Sequence, residues 1–121
     1  MAHILLAEDD TSMREFLGLA LDKAGHSVTS CEDGLSALEK LRGGENFDLL
    51  LTDIVMPGMD GIELAQAATR EHPGLKVMFI TGFAAVAMGE QQKATSDTKI
   101  LSKPFHLKEL VTQIDSLLKA A

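Results

Sequence analysis

The sequence predicts an α/β fold: a doubly wound, five-stranded parallel sheet of (βα)5 form, in a single domain over residues 1–121. Two observations predict it. Short, nearly unbroken apolar runs alternate with segments whose apolar residues recur every three or four positions. Strands buried on both faces read this way, and parallel strands require helical crossovers, which are right-handed. Further, most of the runs end on polar residues at the start of a turn, as expected where strand C-termini share one edge of an open sheet.

The elements follow in order. "HILLA" (3–7) is the first strand and stops at Glu8-Asp9-Asp10. Thr11 and Ser12 offer N-cap hydroxyls, and Asp10 beside them is equally suited to cap a helix. Over 13–24, Met13, Phe16, Leu17, Ala20, Leu21 and Ala24 form one helical face, and Gly25 suits the stop. "HSVTSC" (26–31) alternates weakly and reads as a strand. After the Asp33-Gly34 turn, Leu35, Leu38 and Leu41 define a short helix ending before Gly43-Gly44.

"FDLLLTD" (47–53) is the most continuously apolar strand. A helix over 61–71 follows, with Ile62, Leu64, Ala65, Ala68 and Thr69 on one face, and His72-Pro73-Gly74 breaks it. "LKVMFIT" (75–81) is another buried strand, and 83–92 reads as an alanine-rich helix. "TKILS" (98–102) is the last strand. The helix over 106–120 turns Leu107, Leu110, Val111, Ile114 and Leu117 or Leu118 inward. No linker or second core interrupts the pattern, so no separate output domain is expected.

Composition excludes several classes of function. Eighteen acids against eleven bases give a net charge of -7. Nucleic acid and anionic membranes both need a basic footprint, so neither is an expected partner. No apolar run approaches the ~20 residues that span a bilayer. The start lacks the basic n-region of a signal peptide. Cys31 is the only cysteine and cannot form an internal disulfide, and a reducing cytoplasm is the expected location. Cys31 and the six methionines read as core residues. The four histidines show no metal-ligand spacing and read as surface or edge residues, and Asp33 and Asp48 as solvated.

The strand ends carry the chemistry. Glu8 and Asp9 follow the first strand, Asp53 ends the third, Thr81 the fourth, and Lys103 follows the fifth. Each alone has an ordinary explanation as a turn former, a strand end or a solvated lysine. Together, on successive strands of one sheet, they converge on a single crevice. Several carboxylates there repel one another unless a cation neutralises them. An all-oxygen donor set suits Mg²⁺. A carboxylate can act as a nucleophile toward phosphorus, and a lysine can neutralise the charge that develops on the phosphoryl group.

These residues resemble a known family. "ILLAEDD", "TDIVMPGMDG", "MFITG" and "ILSKPF" are together similar to the receiver domains of bacterial response regulators, over essentially the whole chain. The resemblance implies the flavodoxin-like strand order 2-1-3-4-5. It implies Asp53 as phospho-acceptor, Thr81 as the switch hydroxyl and Lys103 as the phosphate-pairing lysine. It implies Mg²⁺ held by Glu8, Asp9, Asp53 and the backbone carbonyl of Val55, and a cis bond before Pro104. The partners it implies are a histidine kinase or histidine phosphotransfer protein upstream and a protein target downstream. The combination is most similar to stand-alone receivers, which implies a phosphorylation-controlled adaptor for an ATP-dependent protease. Such a protein is not an enzyme beyond its own phosphorylation and dephosphorylation.

The chain departs from the family pattern at two positions. Ile100 stands where many receivers carry an aromatic switch residue, and Glu8 stands for the commoner Asp. In the expected mechanism Thr81 moves toward the phosphoryl group and displaces the small, apolar segment 82–88. A phosphoryl shuttle in a histidine–aspartate relay shares this chemistry. A Mg²⁺-dependent phosphatase with an aspartyl nucleophile would need a second acid where Val55 stands. A flavin site would need a Gly- or Ser/Thr-rich first loop where "AEDDTS" is acidic.

Overall fold

The computed structural model describes residues 2–82 and 98–119. The expected helix over 83–92, and most of the 82–88 segment, lies outside the described residues. Among the described residues, nine elements occur in order: β1 His3–Ala7, α1 Thr11–Lys23, β2 Ser27–Cys31, α2 Gly34–Arg42, β3 Leu49–Asp53, α3 Gly61–Glu71, β4 Lys76–Thr81, β5 Thr98–Ser102 and α4 Leu107–Lys119. The strands form one parallel sheet in the order β2-β1-β3-β4-β5. The predicted fold class and strand order are therefore the observed ones.

Alternation along the strands divides the core in two. Leu5, Leu50, Val77 and Phe79 face one side, where they pack with Ala37, Leu38 and Leu41 of α2 and Leu64, Ala65 and Ala68 of α3. Ile4, Leu6, Leu49, Leu51, Met78 and Ile80 face the other, against Leu17 and Leu21 of α1 and Leu110, Ile114 and Leu117 of α4. Every residue of β3 is buried, because this central strand is covered on both faces. Each fully buried leucine contributes ~2 kcal/mol. Charge has little place in such a strand, so an acid can occur only at its end.

The helix starts are set by aspartates. Asp10, Asp33 and Asp60 cap α1, α2 and α3, accepting the backbone N–H of Met13, Ser36 and Glu63 at 2.9, 2.8 and 2.8 Å. Glu63 returns a bond to the Asp60 N–H at 3.0 Å and completes a capping box. Asp10, and not the Thr11 or Ser12 hydroxyl, is the cap of α1. Asp33 is thus a cap as well as an acid that meets solvent, and Asp48, exposed as expected, accepts the His3 N–H at 2.9 Å. α1 ends where expected, with Gly25 at φ 96°.

Three leucine-or-aromatic positions assigned inward by periodicity turn out exposed. Phe16 is 50% exposed, Leu35 58% and Leu107 39%. Leu35 and Leu107 lie in the first turn of α2 and α4, and Phe16 lies midway along α1. Among the histidines, His26 is buried, with Nδ1 accepting the Ala2 N–H at 3.1 Å. It sits just before the edge strand β2 but is not on the surface, because the Ala2 backbone bonds to its ring and to the Ser27 N–H. Cys31 is buried as expected. No helix among the described residues is long and apolar enough to cross a membrane.

Candidate functional site

The site assembles at the C-terminal edge of the sheet, where β1, β3, β4 and β5 all end. β3 delivers Asp53 there as a nearly buried carboxylate, 8% exposed. Its Oδ1 accepts the Ile54 N–H at 2.8 Å, and its Oδ2 lies 3.3 Å from Lys103 Nζ. β1 delivers Glu8, only 1% exposed. Glu8 Oε2 accepts the Asp10 N–H at 3.0 Å, and Oε1 lies 3.5 Å from Lys103 Nζ. Lys103 thus bridges two acids from different strands.

Asp9 is exposed at the mouth. One oxygen each from Glu8, Asp9 and Asp53 fall within 4.8 Å of one another. That spacing and the all-oxygen donor set fit a hard divalent cation such as Mg²⁺. Val55 lies two residues beyond Asp53 with its side chain 60% exposed, so the backbone is what it can offer the site.

Thr81 ends β4, buried, in register with Ser102, while Asp53 pairs with Ile80 beside it. The Lys103 N–H donates to the Thr81 carbonyl at 2.6 Å, which places the lysine's backbone on the same edge. The Lys103–Pro104 bond is cis, as the resemblance implied. Ile100, half-buried opposite Phe79, packs against the core shared with α2 and α3.

The electrostatics follow from crowding. Burial pushes the Glu8 carboxyl up to about 7, and Asp53 reinforces the rise, against the Asp10 N–H and Lys103, which lower it. Burial alone would pull Lys103 down, but Glu8 and Asp53 outweigh it and hold the ammonium above its ordinary value. Among the described residues the three clustered carboxyls outnumber the lysine that faces them, an imbalance that a bound cation would relieve.

A family model, the response regulator receiver domain, matches residues 4–115. The chain belongs to this family. A response regulator receiver protein of Brucella abortus (strain 2308), CpdR, is 60% identical over 121 residues, covering 100% of both chains. Among solved structures, a response regulator receiver protein of Sinorhizobium medicae WSM419 matches at TM-score 0.89 and 33% identity, covering 98% of this chain and 94% of that one. Response regulator protein TrrA of Thermotoga maritima, in complex with Mg(2+)-BeF, matches at TM-score 0.84 and 29% identity, covering 97% and 99%.

Two features of this receiver's site were not read from the sequence. Arg14 Nη1 donates to the Glu8 carbonyl at 2.8 Å and braces the loop that carries both N-terminal acids. A signal for it existed: a cation in a helix's first turn opposes the helix dipole, so it needs a local acceptor. The other is Gly61, the first residue of α3. Its N–H donates to the Ile54 carbonyl at 2.8 Å. A Cβ there would collide with the Asp53 carbonyl oxygen and lie 2.9 Å from both Asp53 C and Ile54 Cα. Only glycine lets α3 start directly beneath the Asp53 backbone.

Proposed function

We propose that this receiver is a stand-alone response regulator that takes a phosphoryl group on Asp53 from a phosphohistidine. One observation supports this above others: Asp53, Glu8 and Asp9 converge at one strand edge with Lys103 bridging the buried two. An Asp53 oxygen attacks phosphorus, the P–N bond breaks, and the imidazole leaves. Lys103 pairs with the phosphoryl oxygens. Thr81 turns its hydroxyl toward them. Mg²⁺ would be held by Glu8, Asp9, Asp53 and the Val55 carbonyl, and would supply positive charge against the transferred group. The relative TrrA in complex with Mg(2+)-BeF supports that choice of ion.

A hollow of about 380 Å³ opens beside Lys103, walled by Met13, Phe16, Pro104 and Phe105. Its apolar wall next to the acids suits a protein phosphodonor, a histidine kinase or a histidine phosphotransfer protein, whose phosphohistidine must reach Asp53. Phosphorylation then switches binding to a downstream protein. With Ile100 at the usual aromatic position, that readout runs through Thr81 and the segment it starts. The finer reading, an adaptor for an ATP-dependent protease in the cytoplasm, rests on similarity to stand-alone receivers.

Intact-mass spectrometry with Mg²⁺ and acetyl phosphate tests the chemistry. The parent is expected to gain one base-labile phosphoryl group, dependent on Mg²⁺, and Asp53→Ala is expected to gain none. Equal uptake in Asp53→Ala refutes the assignment. Onward transfer of the group to a histidine protein would identify a relay shuttle in place of a terminal switch.

A further inference from the structure

The loop 54–60 joins β3 to α3 and carries everything between Asp53 and the next helix. Gly61 holds one end of it, as described above. The other end is held by a different helix. Gly34, the first residue of α2, lies so close to Met59 that a Cβ there would sit 2.7 Å from the Met59 carbonyl oxygen, 3.0 Å from its Cβ and 3.1 Å from its Cγ. The first contact is with backbone and cannot be relieved by a rotamer change.

What would yield to a methyl group is decided by packing. α2 is fixed from below by Ala37, Leu38 and Leu41, all buried in the core cluster that also holds Ile54 and Met56. Close-packed interiors do not compress. Ile54 and Met56 anchor the start of the loop in that same core and Met59 packs partly against it, while Val55, Pro57 and Gly58 are exposed. The exposed turn leading into Met59 therefore has more room to shift than α2.

We propose that Gly34 is a positioning residue for the phospho-accepting site. By letting the start of α2 press on Met59, it fixes the path of 54–60 and so the placement of the Val55 carbonyl and the Asp53 backbone. This rests on the reading of Asp53 given above. Gly34 touches neither the acids nor Lys103; it acts through Met59.

The test compares the parent with Gly34→Ala, Met59→Ala and a control, Gly43→Ala. Gly43 closes the same helix, and its added Cβ would meet nothing nearer than 3.5 Å. Three quantities are read: Mg²⁺ affinity by titration of the metal alone, the rate of phosphoryl uptake from acetyl phosphate, and the melting temperature without metal. A displacement of a good part of an ångström should weaken both Mg²⁺ affinity and uptake about tenfold in Gly34→Ala. Met59→Ala, which keeps the carbonyl and Cβ contacts and removes the side chain from Cγ outward, should weaken both less, about threefold. Gly43→Ala should match the parent.

A purely structural role would lower the melting temperature of Gly34→Ala while leaving affinity and uptake at parental values, and that result overturns the proposal. If Gly34→Ala does not fold, Met59→Ala decides, and parental affinity and uptake in it overturn the proposal equally. A parent that takes up no phosphoryl group refutes the reading of Asp53, and the proposal with it. Uptake in the parent that both variants share refutes the proposal alone.

Discussion

Substituting Gly61 by alanine attacks the site through its backbone. The added methyl would overlap the Asp53 carbonyl and crowd Asp53 C and Ile54 Cα at 2.9 Å. Neither partner is a side chain that can swing aside. Overpacking of this kind costs about 1–3 kcal/mol. Separating α3 from the loop would also stretch the Gly61 N–H bond to the Ile54 carbonyl, 2.8 Å in the parent, for about 1 kcal/mol more. A stiffer unfolded chain returns about 0.4–1 kcal/mol. The net loss is about 1–4 kcal/mol, or roughly 4–15 °C in melting temperature for a chain of this size. Because the displaced atoms belong to Asp53 itself, phosphoryl uptake should fall at least tenfold, in line with the roughly hundredfold cost of a 1 Å misplacement. Thermal melts followed by intact-mass assays with acetyl phosphate check both. Gly18→Ala is the control: its Cβ would meet only Ser30 Oγ, at 3.7 Å, so it should be neutral or stabilising. A Gly61→Ala protein with parental stability and uptake would show that the loop tolerates the methyl and that the argument from close approach is wrong.

Glu8 predicts a pH dependence. Its carboxyl is raised in the fold to about 7, first by burial, so the folded state holds this proton more tightly than the unfolded chain. Stability from this group is fully present below about 4.5 and is lost as pH rises through about 7, by at most about 3 kcal/mol. In chelator, Glu8→Gln should match the parent near pH 5 and melt higher than it at pH 8; a constant difference at both pH values would contradict the linkage. Mg²⁺ affinity of the parent should also weaken as pH falls below about 7, since the ligand must be deprotonated. Arg42 pairs with Glu71 across α2 and α3, Nη2 to Oε2 at 2.7 Å, but both ends meet solvent. Arg42→Ala should cost little at low salt and nothing measurable at high salt; a large, salt-independent loss would reveal packing by the arginine stem.

The sequence by itself determined the sheet, its parallel sense and the edge on which the chemistry gathers. Short runs such as "LLLT", bounded by turn residues and alternating with helical periodicity, read as strands covered on both faces, and a charge at their end falls at the shared edge. The placement of Asp53, Glu8, Asp9, Thr81 and Lys103 at one edge was legible for that reason: each sits at or just past a strand terminus, and a terminus is a local property of the pattern. Which residues of a helix face inward was less legible. Periodicity gives a direction but not the extent of cover, so Phe16, Leu35 and Leu107 were assigned inward and lie exposed. Tertiary structure alone decided the contacts between distant segments: Arg14 on the Glu8 carbonyl, Lys103 between two acids, His26 beneath the N-terminal backbone, and Gly34 and Gly61 against the loop that follows Asp53. A glycine in a sequence reports only that a side chain is absent. What that absence makes room for is fixed by packing between elements far apart in the chain, and local pattern does not contain it.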